Sequence, residues 1–123
     1  MLSIQCSSWQ DFSRLSRLVK QQAASPADYA RLVADYCCCS CRLASLLASE
    51  KNILLQEWCL RYALFTLADI AADPRCQTTA RTLCLNNLYV PLRALIRYYQ
   101  QQPQGRADIA ALHAKLRHCL AMM

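Results

Sequence analysis

The sequence is short of the residues that make turns. It holds one glycine, Gly105, and four prolines in 123 residues. Sheets need frequent turns, and turns usually need clusters of glycine, asparagine or proline. No segment alternates apolar and polar residues over the length of a strand. The composition therefore predicts an all-α fold: a single-domain bundle of five or six antiparallel helices arranged as helical hairpins, with no sheet.

Charged residues are also scarce, at 18% of the chain against a typical ~25%, whereas hydrophobic residues make up 55%. The segment 53–72 is apolar at fifteen of its twenty positions. Glu57, Arg61 and Asp69 interrupt it, so we expect no membrane span. A helix this apolar is either the central helix of the bundle or partly covered by another chain.

Helix starts are predicted at two serine- or aspartate-proline pairs. In the first, Ser25 would cap a helix with Pro26 at its first position, and in the second Asp73 and Pro74 would do the same. Pro91 either kinks a long fourth segment or starts a new helix.

The chain is expected to form one domain over residues 1–123. Within it, residues 1–24 form an N-terminal helix that could lie at the periphery, and residues 103–106 form the loop before the last helix. Short connections of this kind make neighbouring helices antiparallel.

The stretch "DYCCCSCRLA" places four cysteines in five positions, 37–41. Polar residues of this segment recur every three or four positions, which predicts one exposed face and puts Ser40 on the buried one, bonded to the carbonyl of Tyr36. We interpret the cysteines as small fillers that let another helix come close. The predicted exposed face consists of Asp28, Arg31, Asp35, Cys38, Arg42, Ser45 and Ser49.

Two chemical roles for the thiols remain as alternatives, namely a thiol-based Cu(I) or zinc site that includes Cys37 and Cys41, and redox sensing through Cys38. The overlapping Cys38–Cys41 pair is the one CxxC in the chain, so a complete zinc pattern is missing. We predict no metal, cofactor or catalytic residue, and no enzyme. Nine cysteines without a secretory signal favour a reducing, cytoplasmic location.

Positive charge is concentrated near the end of the chain. Residues 1–73 carry seven basic and seven acidic side chains, whereas residues 74–123 carry seven basic ones against Asp108 alone. Arg93 and Arg97 share a helix face and are followed by Tyr98 and Tyr99. This segment is either a solvated basic face or a contact surface, since arginine with tyrosine can contact an acidic or amphipathic protein or, as a third alternative, nucleic acid.

These features favour a non-catalytic helical adaptor or chaperone that binds an amphipathic helix of another protein. In size and helical-hairpin architecture the chain resembles small bacterial export chaperones, such as the helical co-chaperones of type III secretion needle subunits; no family is assigned. A homo- or hetero-oligomer is compatible with this function. The alternatives are a small basic nucleic-acid-binding regulator and a thiol-based metal-handling protein. The predicted partner-binding residues are Leu55, Trp58, Tyr62, Phe65, Arg93, Arg97, Tyr98 and Tyr99.

Overall fold

A computed structural model describes residues 2–121, with side chains described from residue 8 onward. This part of the chain contains helices and turns but no strand, so the predicted all-α bundle is confirmed. Its helices are α1 (Leu2–Gln21), α2 (Pro26–Ser49), α3 (Ile53–Ala72), α4 (Thr78–Asn87), α5 (Tyr89–Gln100) and α6 (Gly105–Leu120).

Helix α3 lies at the centre of the bundle, because it packs against all five other helices. Most of its second half is fully buried, which accounts for its apolar composition. Its first turns are different: Ile53, Leu54, Leu55 and Trp58 are among the exposed large apolar side chains of the described residues.

Helix α2 begins as predicted. Ser25 caps it by accepting the N–H of Asp28 at 3.4 Å, and Pro26 occupies its first turn. All seven polar positions of the predicted exposed face are exposed, whereas Tyr36, Ser40 and the large apolar residues opposite them are buried, apart from Leu32, which is partly buried. The 3.5-residue period of the polar residues thus identified both faces correctly.

The second predicted helix start is wrong. Asp73 follows α3 as its C-cap, and α4 begins only at Thr78. The Asp73 carboxylate accepts the backbone N–H of Arg75 at 2.9 Å and the guanidinium of the same residue at 3.1 Å. These bonds hold a turn instead of capping a helix, because residues 74–77, which follow Asp73, are not helical.

Pro91 lies in the first turn of α5, so it belongs to the start of a new helix. Asn87 is the last residue of α4, so its carbonyl has no partner within that helix, and Pro91, four residues later, has no N–H to offer it. The Cys37 thiol of α2 donates to that carbonyl at 3.8 Å. A cysteine of the 37–41 run thus satisfies the backbone group that Pro91 leaves without a partner.

The loop before the last helix is shifted from the predicted 103–106, because α6 already begins at Gly105 and the connection spans 101–104. Gly105 is buried against the end of α5, where a Cβ atom would lie 2.0 Å from the carbonyl oxygen of Tyr99. Glycine at this position is required by that close approach and not by a turn.

Helix α1 packs on α2 and α3, with Phe12, Leu15 and Val19 buried. Helix α2 is the one described helix long and apolar enough to cross a membrane, although the core helix of a soluble protein passes the same test. The expected absence of a membrane span therefore stays a prediction.

Candidate partner-binding site

One face of α3 remains uncovered along most of its length. Leu55, Trp58, Tyr62, Phe65 and Asp69 follow one another at intervals of three or four residues and so share that face. Leu55 is 40% and Trp58 48% exposed, Tyr62 and Phe65 are half-buried, and Asp69 is exposed. We call these residues the α3 strip. All four of its apolar members were predicted as partner-binding residues, and none is sealed inside the bundle.

Aromatic rings from α1 meet the strip. Trp58 stacks on Tyr62 with their centroids 5.0 Å apart, and Trp9 of α1 lies 6.0 Å from Trp58. Phe12, also on α1, contacts the rings of both Trp58 and Tyr62 and stacks at 5.5 Å on the buried ring of Tyr36. The exposed aromatic surface thus stands on a rigid aromatic base.

A groove of about 640 Å³ runs between α1 and α3 over these rings. This volume lies within the range of about 300–1,000 Å³ that is usual for ligand pockets. We call it the aromatic groove; it is lined by Trp9, Phe12, Ser13, Ser16, Arg17, Lys20, Gln21, Trp58 and Tyr62.

Positive charge lies beside the aromatic part of the strip, whereas its far end carries the carboxylate of Asp69. The described residues that line the aromatic groove include two cations, Arg17 and Lys20, and no carboxylate. Lys20 donates to the hydroxyl of Tyr62 and lies over its ring, 4.6 Å from the centroid. Lys115 of α6 lies 4.5 Å from the centroid of Phe65. An acidic partner would therefore meet basic groups contributed by both α1 and α6.

Two hydroxyl groups beneath the groove are buried without a hydrogen-bond partner in the described structure, Ser16 Oγ and Tyr36 Oη. Burial raises the pKa of Tyr36 to about 12, so this hydroxyl stays neutral. The hydroxyls of Ser16 and Thr66 face Tyr36 and partly offset the effect of burial on its pKa.

Sequence reasoning did not assign Trp9 or Phe12 to the site. Their helical spacing indicates that they share a face of α1, but not which helix that face contacts. Their position beside Trp58 follows from the packing of α1 against α3, which are more than thirty residues apart in the sequence.

The predicted contact residues of α5 divide into two groups. Arg93 and Arg97 are exposed, as expected of a binding surface. Tyr98 and Tyr99 are 8% and 2% exposed, so their assignment as partner-binding residues is wrong. Their rings pack in the core at the α3–α5 contact, a long-range contact that the local sequence does not reveal.

The hydroxyls of these tyrosines bind α3. Tyr98 donates to the carbonyl of Ile53 at 3.3 Å. Tyr99 donates to Glu57 at 2.5 Å and accepts from Arg61 at 3.0 Å, so it bridges the acid and the base of that helix turn. Burial, together with the Glu57 bond, raises the pKa of Tyr99 to about 12. Tyr98 and Tyr99 thus connect α5 to the exposed first turns of α3.

A second groove, of about 390 Å³, lies between α2, α3 and α5. It has small side chains on its α2 side and two arginines on its α5 side. We call it the arginine groove; it is lined by Cys41, Ala44, Ser45, Ala48, Gln56, Leu60, Tyr89, Val90, Arg93, Ala94 and Arg97.

The thiols of the 37–41 run have mainly structural contacts. Ser40 donates to the carbonyl of Tyr36 at 2.7 Å, which confirms that prediction, and Cys59 of α3 donates to the carbonyl of Ser40 at 3.6 Å. Burial raises the pKa of Cys37 and of Cys59 to about 12. These two thiols are therefore neutral, and neutral thiols are poor nucleophiles and poor metal ligands.

Metal-ligating and redox groups are not concentrated at either groove. The described residues contain no group of three or more histidine, cysteine, aspartate or glutamate side chains arranged to hold a metal ion. Cys38 is exposed and accepts a contact from the Arg42 guanidinium at 3.6 Å. The thiol-based metal site thus finds no support in this part of the chain.

Comparison with known proteins yields no relative: no family model, no curated protein and no solved structure matches this chain. Its function has to be inferred from its own geometry.

Proposed function

We propose that this protein is a non-catalytic helical adaptor or chaperone that holds an amphipathic helix of a partner protein in the aromatic groove. The observation that carries the proposal is Trp58, an aromatic anchor that is 48% exposed in a preformed groove between two helices. Tryptophan and tyrosine are the residues most enriched among the dominant contacts of protein interfaces.

A helix is the form of partner that suits the site. The groove lies between two helices and is lined along α1 from Trp9 to Gln21, so a further helix can pack there by the rules that built the bundle. A peptide that binds by adding a strand needs the edge of a sheet, and the part of the chain that the structure describes has no strand.

The charges of the groove favour an acidic partner over a second copy of this chain. Each copy carries a net charge of +6, so self-association would bring like charges together. Glutamate or aspartate beside the apolar face of the partner helix would instead meet Arg17, Lys20 and Lys115.

Tryptophan fluorescence gives a direct test, because both tryptophans of the chain, Trp9 and Trp58, lie at the groove. The probe is a synthetic helix of about 18 residues, roughly five turns, with leucines on one face and glutamates beside them. Binding should shift the emission to shorter wavelength. A peptide of the same composition with its leucines out of helical phase serves as the control.

Matched variants locate the binding. Trp58→Asp should abolish the shift reported by Trp9, whereas Tyr89→Asp, which changes a 56% exposed aromatic of the arginine groove, should preserve it. Ser13→Phe, at an exposed position that lines the aromatic groove, should weaken binding by filling it. Equal binding of both peptides, or loss of binding in the Tyr89 variant alone, would contradict the proposal.

A further inference from the structure

The arginine groove is separate from the aromatic groove, since no residue lines both. Arg93 and Arg97 line its α5 side and are exposed. The ion pairs that the described residues show, Arg14 with Asp11 and Arg75 with Asp73, involve neither of these two arginines.

No carboxylate is found among the described residues that line this groove either. Two guanidinium groups without an acidic neighbour are held beside an apolar cleft, and each offers several N–H donors in a planar arrangement that matches a carboxylate. The charge of the groove is therefore complementary to an acidic ligand.

The spacing of the arginines suits a helix. Arg93 and Arg97 are at positions i and i+4 of α5, which corresponds to about 6 Å along the helix axis. Carboxylates at positions i and i+4 of another helix have the same spacing. The opposite side of the groove is formed by Cys41, Ala44 and Ala48, small side chains that let a helix approach α2 closely.

Nucleic acid is less well suited to the same groove. Base stacking needs an accessible aromatic face, and Tyr98 and Tyr99 are buried in the core. The accessible ring nearby is Tyr89, and the Arg93 guanidinium already lies over it at 5.6 Å from the centroid.

We propose that the arginine groove binds an acidic helical segment of a protein, with carboxylates at i and i+4 paired to Arg93 and Arg97. This site is independent of the adaptor function proposed for the aromatic groove. The arginine groove would give the protein a second contact surface. It would bind carboxylates, whereas the aromatic groove would bind apolar side chains.

The test is an NMR titration of the 14.0-kDa chain, which detects weak binding. The probe is an alanine-rich helical peptide with glutamates at i and i+4, and its glutamine counterpart is the control. The Nε–H signals of Arg93 and Arg97 should shift with the glutamate peptide. Arg93→Gln combined with Arg97→Gln should weaken binding roughly tenfold or more.

Arg106→Gln combined with Arg117→Gln removes the same charge from exposed positions outside the groove and should change the affinity much less. Ala48→Phe, on the opposite side of the groove, should weaken binding while leaving both arginines in place.

Three results would overturn the proposal: equal affinity loss in the two double variants, equal shifts with the glutamine peptide, or arginine shifts caused by a single-stranded oligonucleotide and not by the peptide. Because the glutamate peptide carries no large apolar side chain for the aromatic groove, its binding should survive Trp58→Asp, so this proposal can fail or stand separately from the adaptor function.

Discussion

Replacing Cys37 by alanine tests whether the cysteine run is structural. The Cys37 thiol is buried and donates to the carbonyl of Asn87, which cannot receive an N–H from Pro91. The carbonyl lies at a part-buried position and a thiol is a weak donor, so losing this bond costs about 1 kcal/mol or less. Loss of the packed sulfur adds about 1 kcal/mol. The free energy of unfolding should therefore fall by about 1–2 kcal/mol in the variant.

Urea denaturation followed by circular dichroism measures this change. Cys38→Ala is the matched control, because Cys38 is the next residue but exposed, and its effect should stay within about 0.5 kcal/mol. Pro91→Ala offers a backbone N–H to Asn87 but also removes a fully buried ring, so it should cost less stability in the Cys37→Ala background than in the parent chain. A double-mutant cycle then measures the coupling of Cys37 to Pro91.

Two results would refute this reasoning. If Cys37→Ala is as stable as the parent chain, the thiol is not needed by the Asn87 carbonyl. If Pro91→Ala has the same effect with and without Cys37, the two residues do not share that carbonyl. A loss of stability on adding a chelator, seen in the parent and absent in Cys37→Ala, would instead indicate a metal site.

Further predictions concern the α5–α6 contact and the other thiols. Gly105→Ala should destabilise the chain in thermal unfolding although alanine favours helix, because the clash with the Tyr99 carbonyl outweighs a propensity gain of at most about 1 kcal/mol. Burial raises the pKa of Cys59 to about 12 and of Cys84 to about 11 from 9.0. As the pH rises, the thiols of the unfolded chain lose their protons before those of the folded chain do. The free energy of unfolding should therefore fall as the pH rises above about 9, whereas below pH 9 these thiols should not affect it; urea titrations at each pH measure this. Maleimide at neutral pH should label Cys38 faster than Cys59 or Cys84, because Cys38 is exposed and the other two thiols are buried. Mass spectrometry of the labelled peptides gives the order, and faster labelling of Cys59 or Cys84 would contradict their burial.

The features that were predicted correctly are those that depend on local sequence. The faces of α2 follow from the spacing of its polar residues, and its start follows from Ser25 and Pro26, because both signals act within one or two turns. The boundaries 53–72 of α3 were likewise recognised from its apolar composition.

The features that were missed depend on contacts between distant segments. Tyr98 and Tyr99 were predicted to bind a partner because nothing near them in the sequence indicates their hydrogen bonds to α3. Their hydroxyls bond to Ile53, Glu57 and Arg61 of that helix. The aromatic groove exists only because α1 brings its rings beside the α3 strip. A local pattern also failed at Asp73, where the same side chain can cap a helix or hold a turn.

Photo-crosslinking from position 58 tests the central claim most directly. Trp58 is replaced by a photoreactive phenylalanine derivative, the chain is irradiated in the cell that expresses it, and the cross-linked peptide is sequenced by mass spectrometry. The same substitution at Tyr89, an exposed aromatic of the other groove, is the control. The account predicts that position 58 cross-links to an amphipathic helical segment of a different protein with acidic residues beside its apolar face. Cross-links to a second copy of this chain, or the same products from both positions, would contradict it.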